Sequence, residues 1–125
     1  MNAILDTTVI IHLLRRYKPA LAWFNNPQIY GVTTTTCLEV LAGSISKIHQ
    51  AEAENILDQF ELLYCTASDQ AWAIQQVKRF QFRHHIGAND CLIAAVAYRL
   101  QVPLYTHNLK DMTPLIGALA IQPYS

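Results

Sequence analysis

Short apolar runs alternate along the chain with longer segments whose apolar residues recur every three or four positions. The first run, Ala3–Leu5, stops at Asp6 and predicts a short buried strand. After it, apolar positions up to Leu14 follow a helical spacing, and Thr7 or Thr8 is the predicted cap of that helix. A strand followed directly by a helix is the building unit of a parallel α/β sheet.

The same unit returns in the next thirty or so residues. Gln28–Thr33 is rich in β-branched and aromatic residues, which favours a second strand. One of the three threonines at 34–36 is the predicted cap of a helix that ends at Gly43. Before this unit, Pro19 opens a brief helical turn, and Asn25–Pro27 is predicted to break it.

The second half of the chain continues the alternation. Helices are predicted at Ile45–Phe60, from a Ser68 cap through Phe82, and at Cys91–Leu100, and strands at Leu62–Cys65, Pro103–Tyr105 and Leu119–Gln122. This pattern predicts an α/β fold with a central parallel sheet of four or five short strands flanked by helices. The 125 residues fit one domain, 1–125.

Composition supports a folded core but gives no general sign of nucleic-acid binding. Hydrophobic residues make up 52% of the chain and charged residues 14%, which argues against disorder. Nine basic residues balance nine acidic ones, so binding to phosphates requires a local cluster of cations. Three cysteines stand more than 25 residues apart, which predicts core thiols rather than a metal site or a disulfide framework. With no basic leader and no apolar run long enough to span a bilayer, we expect a cytoplasmic protein.

The basic cluster at 78–85 is the strongest candidate for a contact with phosphates. Its cations, Lys78, Arg79 and Arg83, are interleaved with phenylalanines, a pattern that suits RNA backbone and base stacking. A helix that ends in cations for electrostatic reasons explains the same residues equally well. His107 is a further candidate for a contact with substrate.

Four carboxylates fall where parallel strands end or where the helices beside them begin. Asp6 ends the first strand, Glu39 lies early in the helix after the second, Asp90 opens an apolar helix, and Asp111 follows the fourth strand. Ligands of open parallel sheets bind beyond the carboxyl ends of the strands. We therefore expect these four side chains at one edge of the sheet.

Glu39 and Asp90 are each a lone charge inside an apolar run. Carboxylates brought close together repel each other unless a cation lies between them, and oxygen ligands select Mg²⁺ or Mn²⁺ over zinc. Structural roles compete with this interpretation: Asp6 as a turn residue, Asp90 as a helix cap and Asp111 as part of a polar turn. A phosphoacceptor receiver domain is excluded, because it needs an acidic pair after the first strand and Asp6 stands alone.

Four segments of the sequence resemble the motifs of PIN domains in the order that the family has them. They are LDTTVII at 5–11, TTTCLEVLAG at 34–43, GANDCLIAA at 87–95 and THNLKDM at 106–112. One departure is Thr8, where the family usually has Asn or Ser. The size and layout are similar to those of VapC-type toxins.

The resemblance implies a three-layer PIN-like fold and cleavage of RNA by a water that Mg²⁺ or Mn²⁺ activates. Asp6, Glu39 and Asp90 are the expected metal ligands, and either Asp111 or Asn108 is expected to complete the acidic site. Hydroxyls of Thr8, Thr34 and Thr35 are expected to orient a carboxylate or the water.

The expected partners are an RNA substrate (tRNA, rRNA or mRNA), a cognate antitoxin that neutralises the toxin, and a second copy of the chain. The antitoxin or the second copy is expected on the apolar surface of the Ile45–Phe60 helix and the Pro19–Phe24 segment. Ordinary core packing explains that surface as well. The alternative function is a catalytically inactive PIN-fold module that binds RNA or protein.

Overall fold

The computed structural model describes residues 1–26 and 28–125. Its elements, in chain order, are β1 (Ala3–Leu5), α1 (Thr7–Leu14), α2 (Lys18–Phe24), β2 (Tyr30–Thr33), α3 (Thr34–Ala42), α4 (Lys47–Leu57), β3 (Glu61–Leu63), α5 (Ala67–Phe80), α6 (Ala88–Leu100), β4 (Leu104–Tyr105), α7 (Leu109–Ile116) and β5 (Ala120–Ile121). A short 3-10 turn, Gly117–Leu119, joins α7 to β5.

The strands form one parallel sheet in the order β3-β2-β1-β4-β5. The first strand lies in the middle, where Ile4 pairs with Gly31 of β2 on one side and Leu104 of β4 on the other. All the carboxyl ends therefore point to the same edge. Because β1, β2 and β4 are neighbours, the residues that follow them share the centre of that edge.

Two cores cover the two faces of the sheet. Ala3 and Leu5 of β1 face the core built with α1, α3 and α4, and Ile4 faces the core built with α5, α6 and α7. All three are fully buried. This alternation is the period of two that a strand imposes on its side chains. It confirms the predicted parallel α/β fold with helices on both faces, the three-layer arrangement of a PIN domain.

Helix caps differ from the prediction in a consistent way: each lies earlier than the residues we predicted. The cap of α1 is Asp6 rather than Thr7 or Thr8, that of α3 is Thr33 rather than one of the next three threonines, and that of α5 is Thr66 rather than Ser68. In each case the last polar residue in extended backbone accepts a hydrogen bond from an N–H of the first turn. The structural alternative for Asp90, a helix cap, does not hold either, since α6 begins at Ala88 and Asp90 lies in its first turn.

Several helices and strands are shorter than predicted, and the sequence did not predict one helix. The predicted Ile45–Phe60 helix is Lys47–Leu57, and the strand predicted at Leu62–Cys65 is Glu61–Leu63. The polar turn considered as the structural alternative for Asp111 is the first turn of α7, which packs through Met112, Leu115 and Ile116. The predicted break at Asn25–Pro27 includes Pro27, which lies outside the described residues.

Two further observations concern the thiols and the helices. Cys91 is buried as predicted, whereas Cys37 and Cys65 are only half-buried, so two of the three are not full core residues. Across residues 1–26 and 28–125, each helix is too short or too polar to cross a membrane.

Candidate active site

Asp6 is the most buried carboxylate at the carboxyl edge of the sheet, with 2% of its surface exposed. The Thr7 backbone N–H donates to its Oδ1 at 2.8 Å, and the Thr106 hydroxyl donates to its Oδ2 at 2.7 Å. The Thr8 hydroxyl lies 3.4 Å from the same Oδ2. Because Thr106 directly follows β4 as Asp6 follows β1, the pairing of the two strands brings these side chains together.

Glu39 reaches the same edge from the second turn of α3. Its Oε1 accepts a hydrogen bond of 2.8 Å from the Thr7 hydroxyl, and its Oε2 lies 3.4 Å from the Asn89 amide. Thr7 therefore contacts Asp6 with its backbone and Glu39 with its side chain. The helix α3 is held in this position by its packing against α1 and α6.

Asp90 and Asp111 meet at Asn108. The Asn108 amide nitrogen lies 3.1 Å from Asp111 Oδ2 and 3.4 Å from Asp90 Oδ2. The Asn108 backbone N–H donates to the Thr106 hydroxyl at 2.9 Å. Asn108 thus links both acids to Asp6 through Thr106, so Asn108 and Asp111, the two residues that the sequence left as alternatives, lie together at this site.

The pKa of Asp90 is raised by burial and in part by the negative charges of the other three carboxylates. Burial, together with the charges of Asp6, Asp111 and Glu39, raises the pKa of Asp90 to about 6. Burial also raises the pKa of Asp6, with a smaller contribution from Glu39, although the hydroxyls and N–H around it partly offset this. Both shifts have the direction expected for acids that lack a compensating positive charge.

No lysine or arginine supplies that charge within the part of the chain that the structure describes, where the one ion pair joins Arg99 to Asp69, elsewhere in the molecule. In the present conformations, no three His, Cys, Asp or Glu side chains of residues 1–26 and 28–125 are close enough to hold a metal ion. The donor set still fits a hard divalent cation in chemistry and in charge, because it consists of carboxylate oxygens that repel one another. Asp6, Glu39 and Asp90 are the residues that could hold it.

Three hydroxyls that the sequence did not predict for this site belong to it, and two that it did predict have no hydrogen bond to its acids among the described residues. Thr7, Thr36 and Thr106 belong to the hydrogen-bond network of Asp6 and Glu39. Thr35 instead lies 3.8 Å from Cys65 Sγ, and neither Thr34 nor Thr35 has a hydrogen bond to an acid of the described chain. The reason is the helical turn of α3, which points residue 36 toward α1 and residues 34 and 35 away.

The residues predicted to contact RNA, and the phenylalanines between them, differ in how far the fold exposes them. Phe80 is buried, with the Arg79 guanidinium 4.9 Å from its ring centroid, whereas Phe82 and Arg83 are exposed. The ring of His107 packs against His12 and Tyr124, and its Nε2 is buried without a hydrogen-bond partner among the described residues. This packing leaves the His107 imidazole in an aromatic cluster and not on an open surface.

Comparison with known proteins decides the family. The sequence model of the PIN domain matches residues 3–110. The chain belongs to the PIN-domain family. The matched range contains Asp6, Glu39, Asp90 and Asn108 and ends one residue before Asp111. No curated protein matches the chain in sequence.

Solved structures similar to this PIN domain include toxins of toxin–antitoxin pairs. A toxin–antitoxin complex from Klebsiella pneumoniae is 20% identical, with a TM-score of 0.80 and 98% of each chain covered. VapBC2 from Rickettsia felis, bound to a promoter DNA fragment, is 21% identical, with a TM-score of 0.74 and coverage of 94% of this chain and 95% of that one. Mycobacterium tuberculosis VapC20, a toxin that cleaves the sarcin–ricin loop, is 13% identical, with a TM-score of 0.73 and coverage of 93% and 98%. At these identities the likeness establishes a shared fold.

Proposed function

We propose that this PIN domain is a metal-dependent endoribonuclease and the toxin of a toxin–antitoxin pair. The observation that carries the proposal is the group of four carboxylates at the carboxyl edge of the sheet, joined by one hydrogen-bond network and lacking a cationic partner in the described chain. Such a group is electrostatically unfavourable by itself. Burial and the neighbouring charges disfavour the ionised form of Asp90 and so raise its pKa to about 6. A divalent cation would remove this cost.

Nucleases of the PIN-domain family generally use divalent metal ions. Bound between Asp6, Glu39 and Asp90, Mg²⁺ or Mn²⁺ would activate a water and neutralise the phosphate being cleaved. The chain itself holds the acids in place: Thr7, Thr8 and Thr106 fix both oxygens of Asp6, and Asn108 orients Asp90 and Asp111. Glu39 Oε2 has the distant Asn89 amide as its partner, which leaves it available to a cation or a water.

A groove supports Lys78 as an RNA contact. A cavity of about 590 Å³ includes Thr35, Lys78 and Leu92 in its lining. A second cavity, of about 370 Å³, shares Thr35 and Leu92 with it and extends to Glu39 and Asn89. The two together lead from Lys78 to Glu39, a path that a polynucleotide can follow. We include Arg79 and Arg83 in the proposed contact surface, and leave His107 out because its ring is packed.

The toxin part of the proposal rests on the fold neighbours, which are complexes of toxins with antitoxins. The apolar surface that the sequence suggested for a partner includes Ile45, two residues before α4, and Ile48 in its first turn, which are 90% and 76% exposed. Large exposed aliphatic side chains are typical of a surface that another protein covers. We propose that an antitoxin segment binds there, and that the chain also pairs with a second copy.

A nuclease assay tests the proposal. The purified protein should cleave RNA in the presence of Mg²⁺ or Mn²⁺ and should stop cleaving when EDTA is added. Cleavage that continues in EDTA would show a metal-free mechanism and refute the proposed one. Metal-independent binding of RNA without cleavage would favour the alternative of an inactive PIN-fold module.

A further inference from the structure

Thr7 connects two of the acids in a way that none of the sequence motifs required. Its backbone N–H donates to Asp6 Oδ1 and its hydroxyl donates to Glu39 Oε1, both at 2.8 Å. Asp6 and Glu39 lie on different elements, the end of β1 and the second turn of α3. A single residue therefore sets the position of one carboxylate relative to the other.

The Thr7 hydroxyl has two acceptors in reach and one proton to give. Glu39 Oε1 lies at 2.8 Å and the Thr36 hydroxyl at 3.1 Å, so the contact with Glu39 is the shorter. The Thr33 hydroxyl, 3.4 Å from that of Thr36, is also placed to donate to Thr36. Thr36 therefore has a second donor, and the Thr7 proton is left to Glu39.

The burial of these hydroxyls makes the arrangement specific. Thr33 and Thr36 are both 0% exposed, and a buried hydroxyl without a partner costs free energy. Thr33 has a local role, because it caps α3 by accepting from the Thr36 N–H at 3.2 Å. The Thr36 hydroxyl has no such role in its own helix. Its contacts are with Thr33 and, across the interface between α3 and α1, with Thr7.

We propose that Thr7 is a positioning residue of the active site: it holds Glu39 Oε1 and so leaves Oε2 available to the cation. This inference rests on the proposed metal-dependent nuclease. Thr7 is not one of the proposed metal ligands. It acts through Glu39 and Asp6, and removal of its hydroxyl should lower the affinity of the site for a divalent ion.

The test measures Mn²⁺ binding by isothermal titration calorimetry and RNA cleavage at saturating Mn²⁺, for wild type, Thr7→Val and Thr7→Ser. Valine keeps the volume of threonine without its hydroxyl, and serine keeps the hydroxyl. Removing a residue that orients a metal ligand typically weakens metal affinity by about 10- to 100-fold. We expect a loss of this size for Thr7→Val, and recovery of most of the affinity in Thr7→Ser.

Thr66→Val is the matched control, because the Thr66 hydroxyl caps α5 and has no hydrogen bond to Asp6, Glu39, Asp90 or Asp111. It should reduce thermal stability while Mn²⁺ affinity stays at the wild-type value. Folding of each variant is checked by circular dichroism, and Thr7→Ala carries the test if Thr7→Val does not fold. A Thr7→Val variant that folds and binds Mn²⁺ as wild type does would overturn this inference and leave the nuclease proposal standing. A wild type that binds no Mn²⁺ would overturn both.

Discussion

Asp6 and Asp69 are equally buried, each with 2% of its surface exposed, yet their pKa values move in opposite directions. Burial alone would raise both. For Asp69, the bidentate ion pair with Arg99, at 2.9 and 3.1 Å, and the capping hydrogen bonds with Thr66 outweigh burial and lower the pKa. For Asp6, three hydroxyl and amide donors do not suffice, and the pKa stays raised.

We interpret the difference as that between a structural acid and a candidate functional one. Asp69 has its counter-charge inside the molecule and joins the start of α5 to the end of α6. Asp6 and its neighbours have none among the described residues, so their negative charge is available to a ligand from solution. Asp6 also lies among more protein atoms than Asp69, which adds to the rise in its pKa. The exposed fraction of the side chain therefore does not distinguish the two acids, whereas the presence of a compensating cation does.

The largest expected effect is on catalysis. Asp90→Asn should lower RNA cleavage by at least about a hundredfold, because it removes one of the proposed ligands of the cation. Its stability without metal should be unchanged or higher by up to about 1–2 kcal/mol, since the repulsion from the other three acids is relieved. Initial cleavage rates and urea unfolding in EDTA measure the two quantities. Full activity, or an unfolded variant, would make Asp90 a structural residue.

Asp69→Asn should show the reverse pattern. Breaking a buried ion pair leaves its partner uncompensated, and because Arg99 is 36% exposed we expect a loss of about 2–3 kcal/mol, less than for a fully buried pair. The cleavage rate per folded molecule should stay near that of wild type. Urea unfolding and a rate normalised to the folded fraction measure this. A variant that is stable but inactive would contradict the structural role that we assign to Asp69.

A smaller effect is expected in the pH dependence of metal-free stability. As pH rises from about 4 to 7, an unfolded Asp90 ionises first, while the folded one, with a pKa raised to about 6, retains its proton longer. Wild type should therefore lose about 1–2 kcal/mol relative to Asp90→Asn over this range, after allowance for solvent screening.

Asp69 has the opposite sign: its lowered pKa stabilises the fold above about pH 4, and this contribution is lost as pH falls further. Unfolding of wild type, Asp90→Asn and Asp69→Asn in EDTA between about pH 3 and pH 7 separates the two curves. Parallel curves for wild type and Asp90→Asn would show that Asp90 titrates normally.

The smallest expected effect concerns RNA binding. Arg79→Ala with Arg83→Ala should reduce the slope of log affinity against log salt by about 2, one for each phosphate that the arginines no longer neutralise. Arg99→Ala is the control, because its guanidinium is committed to Asp69. Binding to a catalytically inactive Asp90→Asn background, followed by fluorescence anisotropy, gives the slopes. If the 79/83 pair leaves the slope unchanged, the cluster only terminates α5.

The fold, and the position of the acids at the carboxyl edge of the sheet, could be predicted from the sequence because both follow from local pattern. A strand that ends at Asp6 and lone charges at Glu39 and Asp90 are visible without any partner. Asp69 was missed because its partner Arg99 lies 30 residues away and only the packing of α5 on α6 joins them.

The hydroxyls were predicted less well than the acids for the same reason. Residues 34, 35 and 36 are all threonines, and the sequence does not show which of them faces Thr7. The packing of α3 on α1 places Thr36 there. Helix α7 was missed because its polar start suggested a turn, although Met112, Leu115 and Ile116 have helical spacing. Thr106 follows a strand as Asp6 does, and this signal could have identified it.

The most direct test of the account is the change in melting temperature that Mn²⁺ produces in wild type, Asp69→Asn and Asp90→Asn. A ligand stabilises only the state that binds it, so the shift reports the site without reference to any RNA. We predict a rise of several degrees, at Mn²⁺ concentrations well above the dissociation constant, for wild type and Asp69→Asn, and almost none for Asp90→Asn. Equal shifts in all three proteins, or no shift in wild type, would contradict the claim that these carboxylates hold a divalent cation.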